Sequence, residues 1–253
     1  MRLDDEVCVQ PTEHAARLLA QGRVTDLGAL CGVLLLYQNS VFRQVTARYR
    51  GQDAGHVISG ALHVAESPGG DVGIVGGFGV GAPATALVLE QLAALGVRRA
   101  VAVGTAGALQ PDLGPGSAVL CTFALRGEGV SGHYWSPADR AFPSPDLTCR
   151  LAQALDDTCD DRFHHGGTWT TDAPYRETRA EVSRHAAAGV LTVDMEAAAL
   201  FAVARYRDVD CAAAFAISDS LVTKRRTPGR RSPAVTTTLT ELADGAVSVL
   251  RTA

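Results

Sequence analysis

Three short stretches hold residue types that can do chemistry in concert. Asp194-Met195-Glu196 places two carboxylates around one methionine, and Asp219 follows the uncharged run 211–218. Gly76-Gly77-Phe78-Gly79-Val80-Gly81-Ala82 is rich enough in glycine to let a ligand approach the backbone closely. Paired acids ahead of a helix complement its dipole, worth a few tenths of a kcal/mol. That accounts for one acid, not for two flanking a methionine. An acid ending a buried strand is either a helix cap or a catalytic group. In the glycine run, Gly77, Gly79 and Ala82 match a G-x-G-x-x-A dinucleotide fingerprint, and a helix N-terminus after it favours an anion. The acid that should hold a cofactor ribose about 20 residues later is missing, because the next strand ends in Gly104-Thr105-Ala106-Gly107.

Other clusters point less sharply. Residues 169–178, with Trp169, Asp172, Tyr175 and Arg176, could recognise a flat polar ring or form an ordinary loop with an aromatic anchor. His164-His165 and Asp160-Asp161 lack a third ligand at metal-site spacing, so no metal is expected. The run Lys224-Arg225-Arg226 to Arg230-Arg231 is either a solvated loop or faces an anionic substrate. Lys224 is the only lysine among 23 basic residues, which excludes a Walker phosphate loop. Six cysteines at irregular spacing, with no C-x-x-C pair, read as buried reduced thiols.

The elements that must position these residues form a β-α-β pattern. Residues 71–76 read as a buried strand. Pro83 opens a helix over 84–95 that Gly96 stops, and 99–104 form the next strand. The pattern recurs as a strand at 190–193, a helix at 194–206 and a strand at 211–217, with a closing helix at 235–251. Strands are also expected near 118–125 and 165–170, with a long excursion over 127–145. Short connections imply parallel strands. The fold expected is α/β, one domain over residues 1–253 with a mixed, mostly parallel central sheet flanked by helices. Ligands in such sheets sit beyond the carboxyl ends of the strands, where 76–81, 104–107 and 218–220 lie. A net charge of −4 argues against a nucleic-acid partner. The uncharged run 72–89 holds five glycines and a proline, so it does not suit a membrane span. With an acidic start lacking an apolar signal region, the expected location is cytoplasmic.

In combination and in this order, the motifs resemble the nucleoside phosphorylase family. The similar branch is trimeric or hexameric and contains uridine phosphorylase, bacterial purine nucleoside phosphorylase and methylthioadenosine nucleosidase. The resemblance spans residues 70–220 and rests on Val103-Gly104-Thr105-Ala106-Gly107-Ala108, Val193-Asp194-Met195-Glu196-Ala197-Ala198 and Ile217-Ser218-Asp219. Residues 126–134, ending in His133-Tyr134, are similar to the uridine phosphorylase branch. The resemblance implies that Thr105 sits between phosphate and ribose, and that Ala106 and Gly107 line the base pocket. It implies that Met195 packs on the ribose, Glu196 holds its 2′ and 3′ hydroxyls, and Asp219 protonates a purine ring. Asp194 and Gly79 fall in the same substrate-binding stretches, and Asp172, Tyr175 and Arg176 fall where the family builds its base pocket. Cleaving an N-glycosidic bond creates positive charge on the sugar and negative charge on the base, which suits a carboxylate on the ribose hydroxyls and an acid or a set of donors at the base.

Departures keep alternatives open. The family arginine two positions before Gly104 is replaced by Ala102, and no Gly-Asp-Pro-x-Arg segment is present. Arg43, with Arg48 nearby, lies where the family supplies an arginine across a subunit interface, and Arg230 or Arg231 matches one that assists the acid. The implied activity is uridine-type or broad-specificity phosphorolysis, with phosphate as co-substrate, no other cofactor and a homo-oligomer sharing its sites. A phosphate-independent nucleosidase, a purine nucleoside phosphorylase, a non-catalytic nucleoside binder and, remotely, an NAD-dependent oxidoreductase remain alternatives.

Overall fold

The computed structural model describes residues 7–24, 27–57, 60–135, 138–222 and 232–252. Strand β1 (Gly32–Leu36) lies parallel between β4 (Val72–Gly76) and β5 (Arg99–Ala108), and β10 (Asp210–Ser220) runs parallel to β5 on its other side. The antiparallel strands β2 (Gly51–Val57) and β3 (Gly60–Ala65) extend the β4 edge. Strands β6 (Ala118–Gly127), β8 (Phe163–Thr171) and β9 (Thr192–Asp194) pair in that order. β6 also meets β10, and β9 meets β5, so five strands close on themselves as a ring. β7 (Arg140–Ala141) is a short addition to β6. The sheet is therefore mixed, with a parallel centre, as expected.

Period-2 alternation divides the core between the two faces. Leu34 and Leu36 pack with Val101 and Val103 under α2 (Asn39–Arg48), α4 (Pro145–Cys159) and α7 (Pro233–Arg251). Val33, Leu35 and Tyr37 pack with Ala100 and Ala102 under α1 (Pro11–Ala20), α3 (Ala82–Ala94) and α6 (Ala197–Tyr206). α5 (Arg179–Ala187) covers a smaller cluster around Trp169 and opens with a Thr178/Glu181 capping box. Among the described residues, no helix is long and apolar enough to cross a membrane.

Three expectations shift in ways that bear on the site. The helix expected from 194 begins at Ala197, because Asp194 ends β9 and Glu196 occupies the N-cap position. β5 runs on through Gly104-Thr105-Ala106-Gly107 instead of stopping at 104, since its neighbours β9 and β10 continue the ladder. β10 likewise includes Ser218-Asp219-Ser220, and α7 starts only at Pro233, so Asp219 is a strand residue and not a helix cap. Pro83 and Gly96 behave as read: the proline sits in the first turn of α3, and Gly96, at φ +100°, follows its last turn.

Candidate functional site

The carboxyl ends of β4, β5, β9 and β10 bring most of the expected residues together. Thr105 and Gly107 alternate on β5 with the buried Ala106, so they share a face. Gly107 is the register partner of Asp219 across β10 and of Val193 across β9. A side chain at Gly107 would meet Leu221 and Val193, so glycine keeps room beside Asp219. The Ser218 hydroxyl donates to Asp219 Oδ1 at 2.7 Å, holding the half-buried acid in place.

Glu196 is only 8% exposed. Its Oε1 accepts the Gly81 N–H at 2.7 Å, which ties the start of α6 to the glycine loop ahead of α3. That loop has left-handed backbone at Gly77, Gly79 and Gly81. The Met195 methyl would lie 3.9 Å from a Cβ at Gly81, so Met195 roofs the same junction. Gly79 is exposed at the loop tip. Asp194, in contrast, is committed inside the protein. Its Oδ1 accepts the Thr168 and Thr170 hydroxyls (3.1 and 2.7 Å), and its Oδ2 accepts the backbone N–H groups of Glu196 and Ala197 (2.9 and 2.6 Å). Burial pushes its carboxyl pKa up while these four bonds pull the other way.

Two residues at the end of β1 join this site without any expectation from the sequence. Gln38 Nε2 donates to Thr105 Oγ1 at 3.1 Å. Tyr37 is buried, packs edge-on to Phe78 at 5.2 Å between ring centres, and has its hydroxyl 3.2 Å from that of Thr85. Burial, with the Glu196 charge as a smaller cause, holds the Tyr37 phenol well above its ordinary pKa, so it stays protonated. The signal was the apolar run Val33-Leu34-Leu35-Leu36, a strand whose end must reach the same edge as β4 and β5.

The remaining expected residues lie elsewhere. Asp172 Oδ2 accepts the Gly129 N–H at 2.8 Å, joining the loop after β8 to the excursion after β6. Arg176 lines a surface cleft of about 410 Å³ with Trp169, Thr171 and His185, whereas Tyr175 is 93% exposed. Arg43 is exposed on α2, and Arg48 pairs with Asp244 at 2.8 Å. Arg230 and Arg231 lie outside the described residues. No group of three or more potential metal ligands occurs among the described residues.

A family model described as the phosphorylase superfamily matches residues 27–250. The chain belongs to the phosphorylase superfamily. This superfamily member is 32% identical to a guanosine phosphorylase of Halorubrum lacusprofundi over 202 residues, 79% of this chain and 76% of that one. It is 28% identical to a DeoD-type purine nucleoside phosphorylase of Clostridium perfringens over 69% of this chain and 75% of that one. Against a uridine phosphorylase of Treponema pallidum it is 33% identical, but the match spans only 55% of that protein. In fold, it superposes on a uridine phosphorylase of Vibrio fischeri with a TM-score of 0.75 at 22% identity, covering 90% of this chain and 93% of that one. An AMP nucleosidase of Bacteroides thetaiotaomicron gives the same TM-score at 20% identity, covering 96% and 98%.

Proposed function

We propose that the protein is a nucleoside phosphorylase, cleaving a nucleoside with phosphate to give free base and pentose 1-phosphate. The observation that carries this is the convergence of Glu196, Met195, Thr105 and the Gly107–Asp219 pair at one edge of the sheet. In this reading Glu196 binds the ribose 2′ and 3′ hydroxyls and favours positive charge on the sugar as the bond breaks. Asp219, steadied by Ser218, donates a proton to the departing base. That acid suits purines, and guanosine and uridine phosphorylases among the relatives support a broad base range. Phosphate is a co-substrate and no resident cofactor takes part. A second copy of the chain supplies an arginine to each site, with Arg43 as the candidate.

Hydrolysis is a second reading, favoured by a specific observation. Ala102 sits buried where the family carries an arginine, and Tyr37 and Gln38 occupy the turn beyond β1, with Gln38 already bonded to Thr105. The test is base release from inosine, guanosine and uridine with and without phosphate. Phosphorolysis requires that release stop when phosphate is removed; release at an unchanged rate supports the nucleosidase reading instead.

A further inference from the structure

The start of α6 is capped in an unusual way. The first N–H groups of a helix lack partners within it, and the N-cap side chain ordinarily takes one. Glu196 holds the N-cap position and makes no such bond. The duty falls upstream and across the sheet. Asp194 Oδ2 accepts the N–H groups of Glu196 and Ala197, and Thr170 Oγ1 accepts that of Ala198 at 3.0 Å. Because Thr170 is an acceptor there, its proton goes to Asp194 Oδ1, and Thr168 supplies the second donor. Thr168 and Thr170 share one face of β8 by alternation, and Thr170 is the register partner of Asp194. All three side chains are buried. The cluster thus fixes the backbone of residues 196–198, and Glu196 turns its carboxylate to Gly81.

We propose that Asp194, with Thr168 and Thr170, forms a positioning cluster that sets the protein's selectivity for the sugar of its nucleoside. The proposal rests on the reading that Glu196 holds the ribose hydroxyls. A carboxylate discriminates a 2′-hydroxyl from a 2′-hydrogen only when it is held at hydrogen-bond distance. Asp194 sets the backbone from which Glu196 reaches, and the Gly81 N–H holds the carboxylate itself. Neither Asp194 oxygen needs to touch the substrate for this role.

The test compares kcat/KM for inosine and 2′-deoxyinosine, and for uridine and 2′-deoxyuridine, in wild type, Asp194→Asn, Thr170→Val and Thr170→Ser. An asparagine that keeps its carbonyl on the two N–H groups turns its amide to the threonines, whose hydroxyls must then reverse from donors to acceptors although Thr170 Oγ1 already accepts the Ala198 N–H, so the cluster loosens on that side. The ribo-to-deoxyribo ratio falls about tenfold in Asp194→Asn, the equivalent of one good hydrogen bond. It falls in Thr170→Val and recovers in Thr170→Ser, while the KM for phosphate stays within about twofold. Should Asp194→Asn not fold, the Thr170 pair decides the matter alone. Equal losses on both sugars, or a wild-type ratio near one, overturn the proposal. A wild-type protein that cleaves no nucleoside overturns the underlying functional reading, which separates that failure from this one.

Discussion

Replacing Gly81 by alanine probes the junction between the glycine loop and Glu196 without touching either carboxylate. Gly81 has φ +92° and ψ 167°, a region open essentially to glycine alone. Space is not the obstacle, since an added Cβ would meet nothing nearer than 3.9 Å. An alanine that keeps this backbone bears a strain of about 1–3 kcal/mol. One that escapes it turns the N–H away from Glu196 and forfeits a charge-assisted bond worth about 1.5–3 kcal/mol. Either route costs about 1–3 kcal/mol, which for a chain this long lowers Tm by about 2–12 °C. The second route also releases Glu196, so kcat/KM falls about tenfold or more. Differential scanning calorimetry and steady-state kinetics read the two effects. Gly114→Ala serves as a control, because a Cβ there meets nothing within 4 Å and its backbone is not left-handed. Unchanged Tm and kcat/KM in Gly81→Ala would refute the claim that this backbone aims Glu196.

Further outcomes follow from other parts of the molecule. Asp219→Asn retains shape but loses the donated proton, so kcat/KM for inosine falls about a hundredfold and more than for uridine; equal losses would contradict the acid role. Arg207 grips Glu90 with two bonds, at 2.6 and 3.2 Å, between α6 and α3. Arg207→Ala lowers stability by about 1–2 kcal/mol in urea titration, and an unchanged midpoint would mean the pair is energetically silent. Of the six cysteines expected to be buried, only Cys121, Cys159 and Cys211 are; burial pushes the Cys211 thiol up to about 12 and Cys121 well above its ordinary pKa, whereas Cys8 and Cys149 are exposed. Iodoacetamide at pH 8 therefore labels Cys8 and Cys149 in the native protein and reaches Cys121 and Cys211 only on unfolding, as peptide mass spectrometry would show.

The readable part of the fold was the part written in periodicity. Strands β4 and β5 and helix α3 were legible because Pro83 and Gly96 punctuate an apolar run at positions where backbone geometry demands them. The N-terminal strands were not, since β2 and β3 owe their place to antiparallel pairing along the β4 edge and not to a local pattern. Within the site, Glu196, Thr105 and Asp219 were visible as motifs. Asp194 was visible too, but as a dipole-complementing acid or a ligand contact. That it caps α6 from the end of β9 depends on Thr168 and Thr170, more than 20 residues away in sequence and one strand away in space. For Tyr37 and Gln38 the apolar run 33–36 marks the strand before them but not what they touch. Only the parallel pairing of β1 with β5 carries the turn beyond β1 to Thr105.

The central claim is that the convergence of Glu196, Thr105 and Asp219 serves phosphorolysis. Its most direct test follows a purine and a pyrimidine nucleoside with the purified full-length protein, titrating phosphate from zero and quantifying base, pentose and pentose 1-phosphate together. The account predicts base release that saturates with phosphate and matches pentose 1-phosphate mole for mole. Base release in phosphate-free buffer, accompanied by free pentose, would contradict it and assign the site to hydrolysis.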